Sequence, residues 1–188
     1  MPTAIGVRPH TGWAILVAVD GEVPAVLRRE RIELCPPELP RQVYHDVGER
    51  KLPTGRAQAR ISLVEAAVEQ ATRAALRDAV HATGAQAIGL VAEARALPEL
   101  PSILRAHPLW HAAEGQLYRD ALAAAAERLR LPVLDVPPRR VRSDAKQALS
   151  LSDAKIDALL RSLGSSIGPP WQRDHKDAAL AALVALAS

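Results

Sequence analysis

Phenylalanine is absent from this chain, and only 3% of its residues are aromatic. A core must therefore be built from Ala, Leu, Val and Ile, which pack well where helix and sheet approach closely. The same scarcity argues against reading single-stranded nucleic acid by stacking bases on exposed rings. Cysteine occurs once, at Cys35, so no intramolecular disulfide can form. Following an apolar, strand-like run, that thiol reads as a small core residue rather than a nucleophile. No apolar run approaches the roughly 20 residues of a membrane span. The opening "MPTAIGVRPH" lacks a charged leader followed by a long apolar stretch. The expectation is a soluble, cytoplasmic protein with no membrane partner. There is no Walker loop, no dinucleotide-binding glycine fingerprint and no Ser-His-Asp arrangement.

What is present is a hydrophobic fraction of 48% over 188 residues, enough for one domain with a proper core. The net charge of +3 permits an anionic partner without requiring one. The first third reads as strands. "TAIGV" is apolar, "GWAILVAVDGE" ends in the turn signal Asp20-Gly21, and "PAVLRRERIEL" alternates. Three strands joined by tight turns imply an antiparallel meander. The segment from about 36 to 60 is rich in proline and predicts a surface loop or insertion. Ile61, Val64, Val68, Ala71, Ala75 and Ala79 recur at helical spacing, and Gly84 ends that run. "QAIGLVAEA" then predicts a buried strand. A second helix is predicted over "LWHAAEGQLYRDALAAAAERLRL", and a short strand over "PVLDVPP". A small helix follows with Ser152 as its cap, and an Ala/Leu-rich helix closes the chain. A meander followed by β-α alternation predicts one α/β domain over 1–188, with a central mixed five-stranded sheet flanked by helices.

That order, with three local sequences, resembles the RuvC-like branch of the ribonuclease H-like superfamily. "IGVRPHTGWAIL" is similar to the family's first hairpin through Gly6, Pro9, Thr11, Gly12 and Trp13, with a shortened loop. "AIGLVAEA" resembles the strand that ends in a catalytic glutamate, and Glu93 stands there. "DHKDAALAALVAL" looks like the closing helix, in which Asp-x-x-Asp precedes an Ala/Leu-rich run; here the pair is Asp174 and Asp177. The resemblance implies phosphodiester hydrolysis by carboxylates that hold Mg²⁺ or Mn²⁺ near the scissile phosphate. Helical residues three apart share a face, so Asp174 and Asp177 can aim at one ion. Two acids at a helix start also serve the helix macrodipole, and that structural reading stays open.

One departure changes the expectation. Where the family's first strand carries an essential aspartate, this chain has Arg8. A guanidinium stays protonated and cannot ligate a cation. It would instead pair with Glu93, Asp174 or Asp177, or grip a phosphate. The resemblance thus implies a degenerate site that keeps the fold and loses ordinary two-metal chemistry. The alternatives are an active metal-dependent endonuclease on structured nucleic acid, and a structural or protein-interaction subunit. The family works as dimers, so a homodimer or another protein partner is a further expectation.

Two other groupings stand out. His107, His111 and Glu114 fall at i, i+4 and i+7, a spacing that suits zinc or manganese with help from His45 or His175. His175 itself is expected to be exposed, since it points about 100° away from each neighbouring aspartate. Arg139, Arg140, Arg142 and Lys146 form a basic run beyond a strand, and Arg29 and Arg31 share a strand face. Both clusters are candidates for a nucleic-acid groove. A solvated arginine-rich surface is the structural alternative.

Overall fold

The computed structural model describes residues 2–188. Three strands come first: β1 (Thr3–His10), β2 (Trp13–Asp20) and β3 (Ala25–Glu33). Helices α1 (Val43–Glu49) and α2 (Thr54–Thr83) follow, then β4 (Ala87–Leu90). Helices α3 (Leu100–Leu104) and α4 (His107–Arg128) lead to β5 (Val133–Asp135). The chain ends in α5 (Val141–Leu149), α6 (Asp153–Ile167) and α7 (Arg173–Ala187). The five strands form one sheet in the order β3-β2-β1-β4-β5. β1, β2 and β3 pair antiparallel, whereas β4 pairs parallel with both β1 and β5. This is the expected α/β fold with a mixed five-stranded sheet.

Alternation along the strands divides the core. Ile5, Val7, Leu16 and Ile88 face one side and pack with α2 and α4. Ala4, Val17, Val19 and Ala87 face the other and meet α7. Thr11-Gly12 makes the tight β1–β2 turn, opposite the pair His10 and Trp13. Gly12 takes φ +85°, the left-handed region such a turn demands.

Two glycines set the depth of α7. Gly6 and Gly89 are register partners across β1 and β4. A Cβ on Gly6 would lie 1.7 Å from the Ala178 carbonyl oxygen, and one on Gly89 would lie 2.0 Å from that of Ala181. The helix backbone therefore rests directly on the sheet. Its buried alanines, Ala178, Ala179, Ala181 and Ala182, make the approach possible.

The structure corrects two expectations and adds two helices that were not predicted. The 36–60 segment is no simple surface excursion: α1 lies within it, with Val43, Tyr44, His45 and Val47 buried. Dense prolines masked a short apolar helix. α2 begins at Thr54 directly after Pro53, seven residues before the first apolar position used to place it. α3 forms in the proline-spaced stretch, where Pro101 occupies a first-turn position that needs no amide donor. The basic run from Arg139 is half helix, since α5 starts at Val141. Ser152 caps α6 as expected, accepting from the Lys155 amide.

Candidate functional site

β1, β4 and β5 run parallel, so their carboxyl ends open at one edge of the sheet. In open α/β sheets that edge is where ligand crevices form. Arg8 and His10 stand at the end of β1, on the strand face that carries Ala4 and Gly6 and so looks toward α7. Because Gly6 draws α7 close, the first turn of that helix lies beside them.

Arg8 and Asp174 meet there. Arg8 Nε lies 3.8 Å from Asp174 Oδ1. Arg8 Nη1 donates to the Val91 carbonyl at 3.4 Å. The Nε atom is buried and makes no hydrogen bond. His10 Nε2 lies 2.8 Å from Asp174 Oδ2, and its ring stacks on Trp13 with centroids 4.1 Å apart. Asp174 thus lies between a guanidinium and an imidazole. Asp177 is mostly buried, with its Oδ2 3.6 Å from Arg173 Nε. Burial pushes its carboxyl up from the ordinary value, while Arg8 and Arg173 pull the other way. Glu93 is exposed just beyond β4 and lines the same cleft as Arg8, His10, Arg95 and Arg119, a cleft of about 340 Å³. Among the described residues, Glu93, Asp174 and Asp177 do not form a group with ligand atoms within 4.8 Å of one another.

The basic residues divide by what they touch. Arg139 and Arg140 are exposed and line a further cleft of about 470 Å³ with Glu93 and Arg95. Arg142 is tied to α6 through Asp153 and Asp157, each at 2.9 Å, and Lys146 also pairs with Asp153. These two hold α5 against α6, so of the expected four-residue basic run only Arg139 and Arg140 face the cleft, beside Arg95. Arg140 itself has Asp144 at 3.1 Å one turn on. On β3, Arg29 donates to the carbonyls of Gly168 and Pro169 and anchors the turn before α7. Arg31 lies 4.2 Å over the Trp13 ring and pairs with Glu33. Neither offers an unclaimed guanidinium to a phosphate.

His175 is 7% exposed, contrary to expectation. Its Nδ1 accepts from the Gln172 amide at 3.1 Å, closing a capping box at the start of α7. Burial and the nearby Arg29 lower its pKa. The ring points back over its own helix start, which helical phase alone does not reveal.

The third grouping is also rearranged. His107 and His111 adjoin each other, with centroids 4.8 Å apart, but the third member is His45 of α1 and not Glu114. Glu114 is 2% exposed and faces the backbone of α1. Its Oε1 accepts from the amides of Tyr44 at 2.7 Å and His45 at 3.4 Å. Burial pushes its carboxyl up to about 7 against the pull of those amides. Of the two helpers the sequence offered, His45 joins the pair and His175 does not.

No protein-family model matches this chain, and no curated protein matches it by sequence. Solved structures do. The chain is similar to Thermus thermophilus RuvC in complex with a Holliday junction substrate, at 17% identity and a TM-score of 0.56, over 98% of this chain and 92% of that one. It is also similar to a further Thermus thermophilus RuvC structure, at 16% identity and a TM-score of 0.54, over 97% and 92% of the two chains. The likeness covers the whole architecture and places this chain in the ribonuclease H-like fold. No helix among the described residues is long and apolar enough to cross a membrane.

Proposed function

We propose that this protein is a nucleic-acid-associated relative of the RuvC-type nucleases, binding DNA or RNA through a nuclease site that has lost ordinary two-metal cleavage. The observation that carries this reading is the ion pair of Arg8 with Asp174, at 3.8 Å, at the mouth of the sheet. A pair of Mg²⁺ or Mn²⁺ ions needs converging carboxylate oxygens. Here the central position holds a guanidinium, Asp174 is shared between Arg8 and His10, and Glu93 stands apart in solvent. That donor set does not fit two divalent ions, and no hydrolytic step is assigned to them.

The same groups suit an anion. Arg8, His10, Arg95 and Arg119 line one cleft, and Arg139 and Arg140 extend it on the side of Glu93. Guanidinium groups recognise phosphate oxygens in a bidentate manner. The neighbouring fold supports nucleic acid as the ligand, since one of the matched RuvC structures holds a Holliday junction substrate. Cytoplasmic location belongs to the same proposal.

Binding and cleavage assays on branched, duplex and single-stranded DNA and RNA test this. The expected result is salt-dependent binding with no cleavage in Mg²⁺ or Mn²⁺. Cleavage abolished by Glu93→Gln would instead establish the active endonuclease. Absence of binding to every nucleic acid at low salt would favour the protein-interaction subunit.

A further inference from the structure

Helix α1 is held on α4 at three points. Tyr118 donates its hydroxyl to the Arg41 carbonyl at 2.7 Å, just before α1. Glu114 receives the amides at the start of α1. Trp110 lies against Gly48, where a Cβ would come within 2.3 Å of the indole. This docking brings His45 of α1 over His107 and His111, which stand one turn apart on α4. Three of the chain's six histidines thus meet at one place. One nitrogen from each lies within 4.8 Å of the other two.

The ring of His45 is held in a particular way. It is 9% exposed, and its Nδ1 lies 3.5 Å from Glu114 Oε1. Its Nε2 is buried and has no hydrogen-bond partner. A carboxylate on Nδ1 fixes the tautomer in which Nε2 carries the lone pair, as in carboxylate–histidine–metal arrangements. Glu114 Oε2 is likewise buried and unpartnered. Among the described residues no Lys or Arg lies within ion-pair distance of Glu114, and His45, whose pKa burial lowers, approaches only Oε1. A buried carboxylate without a cation is costly, and an ion on His45 would supply the missing charge. His107 and His111 are exposed, so their rings can turn inward without disturbing the core.

We propose that His45, His107 and His111 form a binding site for one divalent transition-metal ion of the zinc class, with Glu114 as the group that orients His45. Three imidazoles suit Zn²⁺, Cu²⁺, Ni²⁺ or Fe²⁺ and not Mg²⁺, which prefers oxygen. Three protein nitrogens leave the fourth position of a tetrahedral ion to water or an incoming oxygen ligand. His111 also lines the cleft that contains Arg8, so the ion would border the anion path proposed above. None of the residues implied by the RuvC likeness takes part, so this site is independent of the nucleic-acid reading.

Co²⁺ titration of the chelator-stripped full chain, without nucleic acid, tests the site. The expected result is one equivalent bound with the intense visible absorption of four-coordinate Co²⁺, displaced by Zn²⁺. Zn²⁺ at a hundredfold excess over its Kd should raise Tm by about 5–10 °C. His107→Gln and His111→Gln, both at exposed positions, should each abolish the absorption and the Tm shift while leaving the metal-free fold intact. Glu114→Gln should weaken Zn²⁺ binding by about 10–100-fold, and His81→Gln, on the exposed end of α2, should change nothing. Absence of both signals in the wild-type chain overturns the proposal. So does a signal that survives His107→Gln and His111→Gln.

Discussion

Arg8 and Asp174 face one another across the seam between β1 and α7, with Arg8 Nε 3.8 Å from Asp174 Oδ1. The guanidinium sits where it can neutralise the acids at the start of α7. Reversing that charge tests the relationship. Arg8→Asp places a third carboxylate beside Asp174 and Asp177 and removes the compensating charge. The variant should unfold at lower temperature than wild type in chelator, and Mg²⁺ or Mn²⁺ in excess should recover part of the loss. The wild-type Tm should be unmoved by the same ions. Thermal unfolding with and without the ions reads both, and an equal response of the two proteins would refute the compensation.

Gly6 and Gly89 govern whether that seam exists. A Cβ on Gly6 falls 1.7 Å from the Ala178 carbonyl oxygen, an overlap with backbone that no rotamer can relieve. Gly6→Ala should therefore push α7 off the sheet and cost about 3 kcal/mol or more. For a chain of this size that is a Tm fall of roughly 6–12 °C. Gly55→Ala, early in α2 with nothing within 4 Å of its Cβ, should be neutral or slightly stabilising. Thermal denaturation of the pair provides its own control.

The legible parts of this molecule were those written in periodicity. The three-strand meander, β4, α4 and the Ser152 cap followed from alternation, helical spacing and cap chemistry. α1 did not, because Pro36, Pro37, Pro40 and Pro53 flank a helix of seven residues, too short to show a period. Without α1, the sequence offered His45 only as one of two helpers and placed Glu114 among the ligands. Arg142 and Lys146 looked free in the sequence because their partners, Asp153 and Asp157, belong to a helix whose packing is tertiary information. The pairing of Arg8 with one of three named acids was legible in kind. Which acid it met depended on how deeply two glycines let α7 settle.

Cys35 provides a chemical probe of the core around α1. The side chain is 2% exposed, and burial raises its thiol pKa above the ordinary value of 9.0. Native protein should therefore react with a thiol reagent at pH 8 only through opening, far more slowly than unfolded chain. The sign of the pH effect follows from the raised value. Any contribution to stability is fully present below the unfolded-state pKa and is lost as pH rises through the higher native one, because the unfolded thiol ionises first. Cys35→Ala should flatten stability against pH above about 9, and denaturation midpoints across the alkaline range would reveal a slope that persists.

Under the proposed nucleic-acid function, the two classes of arginine near β5 should separate in a salt titration of affinity. Each phosphate contact releases condensed counterions, so losing one contact lowers the slope of log K against log salt by about 1. Arg139 and Arg140 border the cleft shared with Glu93 and Arg95. Arg139→Ala and Arg140→Ala should each reduce affinity and flatten the slope. Arg142 is occupied by Asp153 and Asp157 on α6. Arg142→Ala should leave the slope where it was, although it loosens the α5–α6 contact. Were Arg142→Ala to flatten the slope as much as Arg139→Ala, its ion pairs would have to open on binding. The groove would then extend along α5 instead of ending at the carboxyl edge of the sheet.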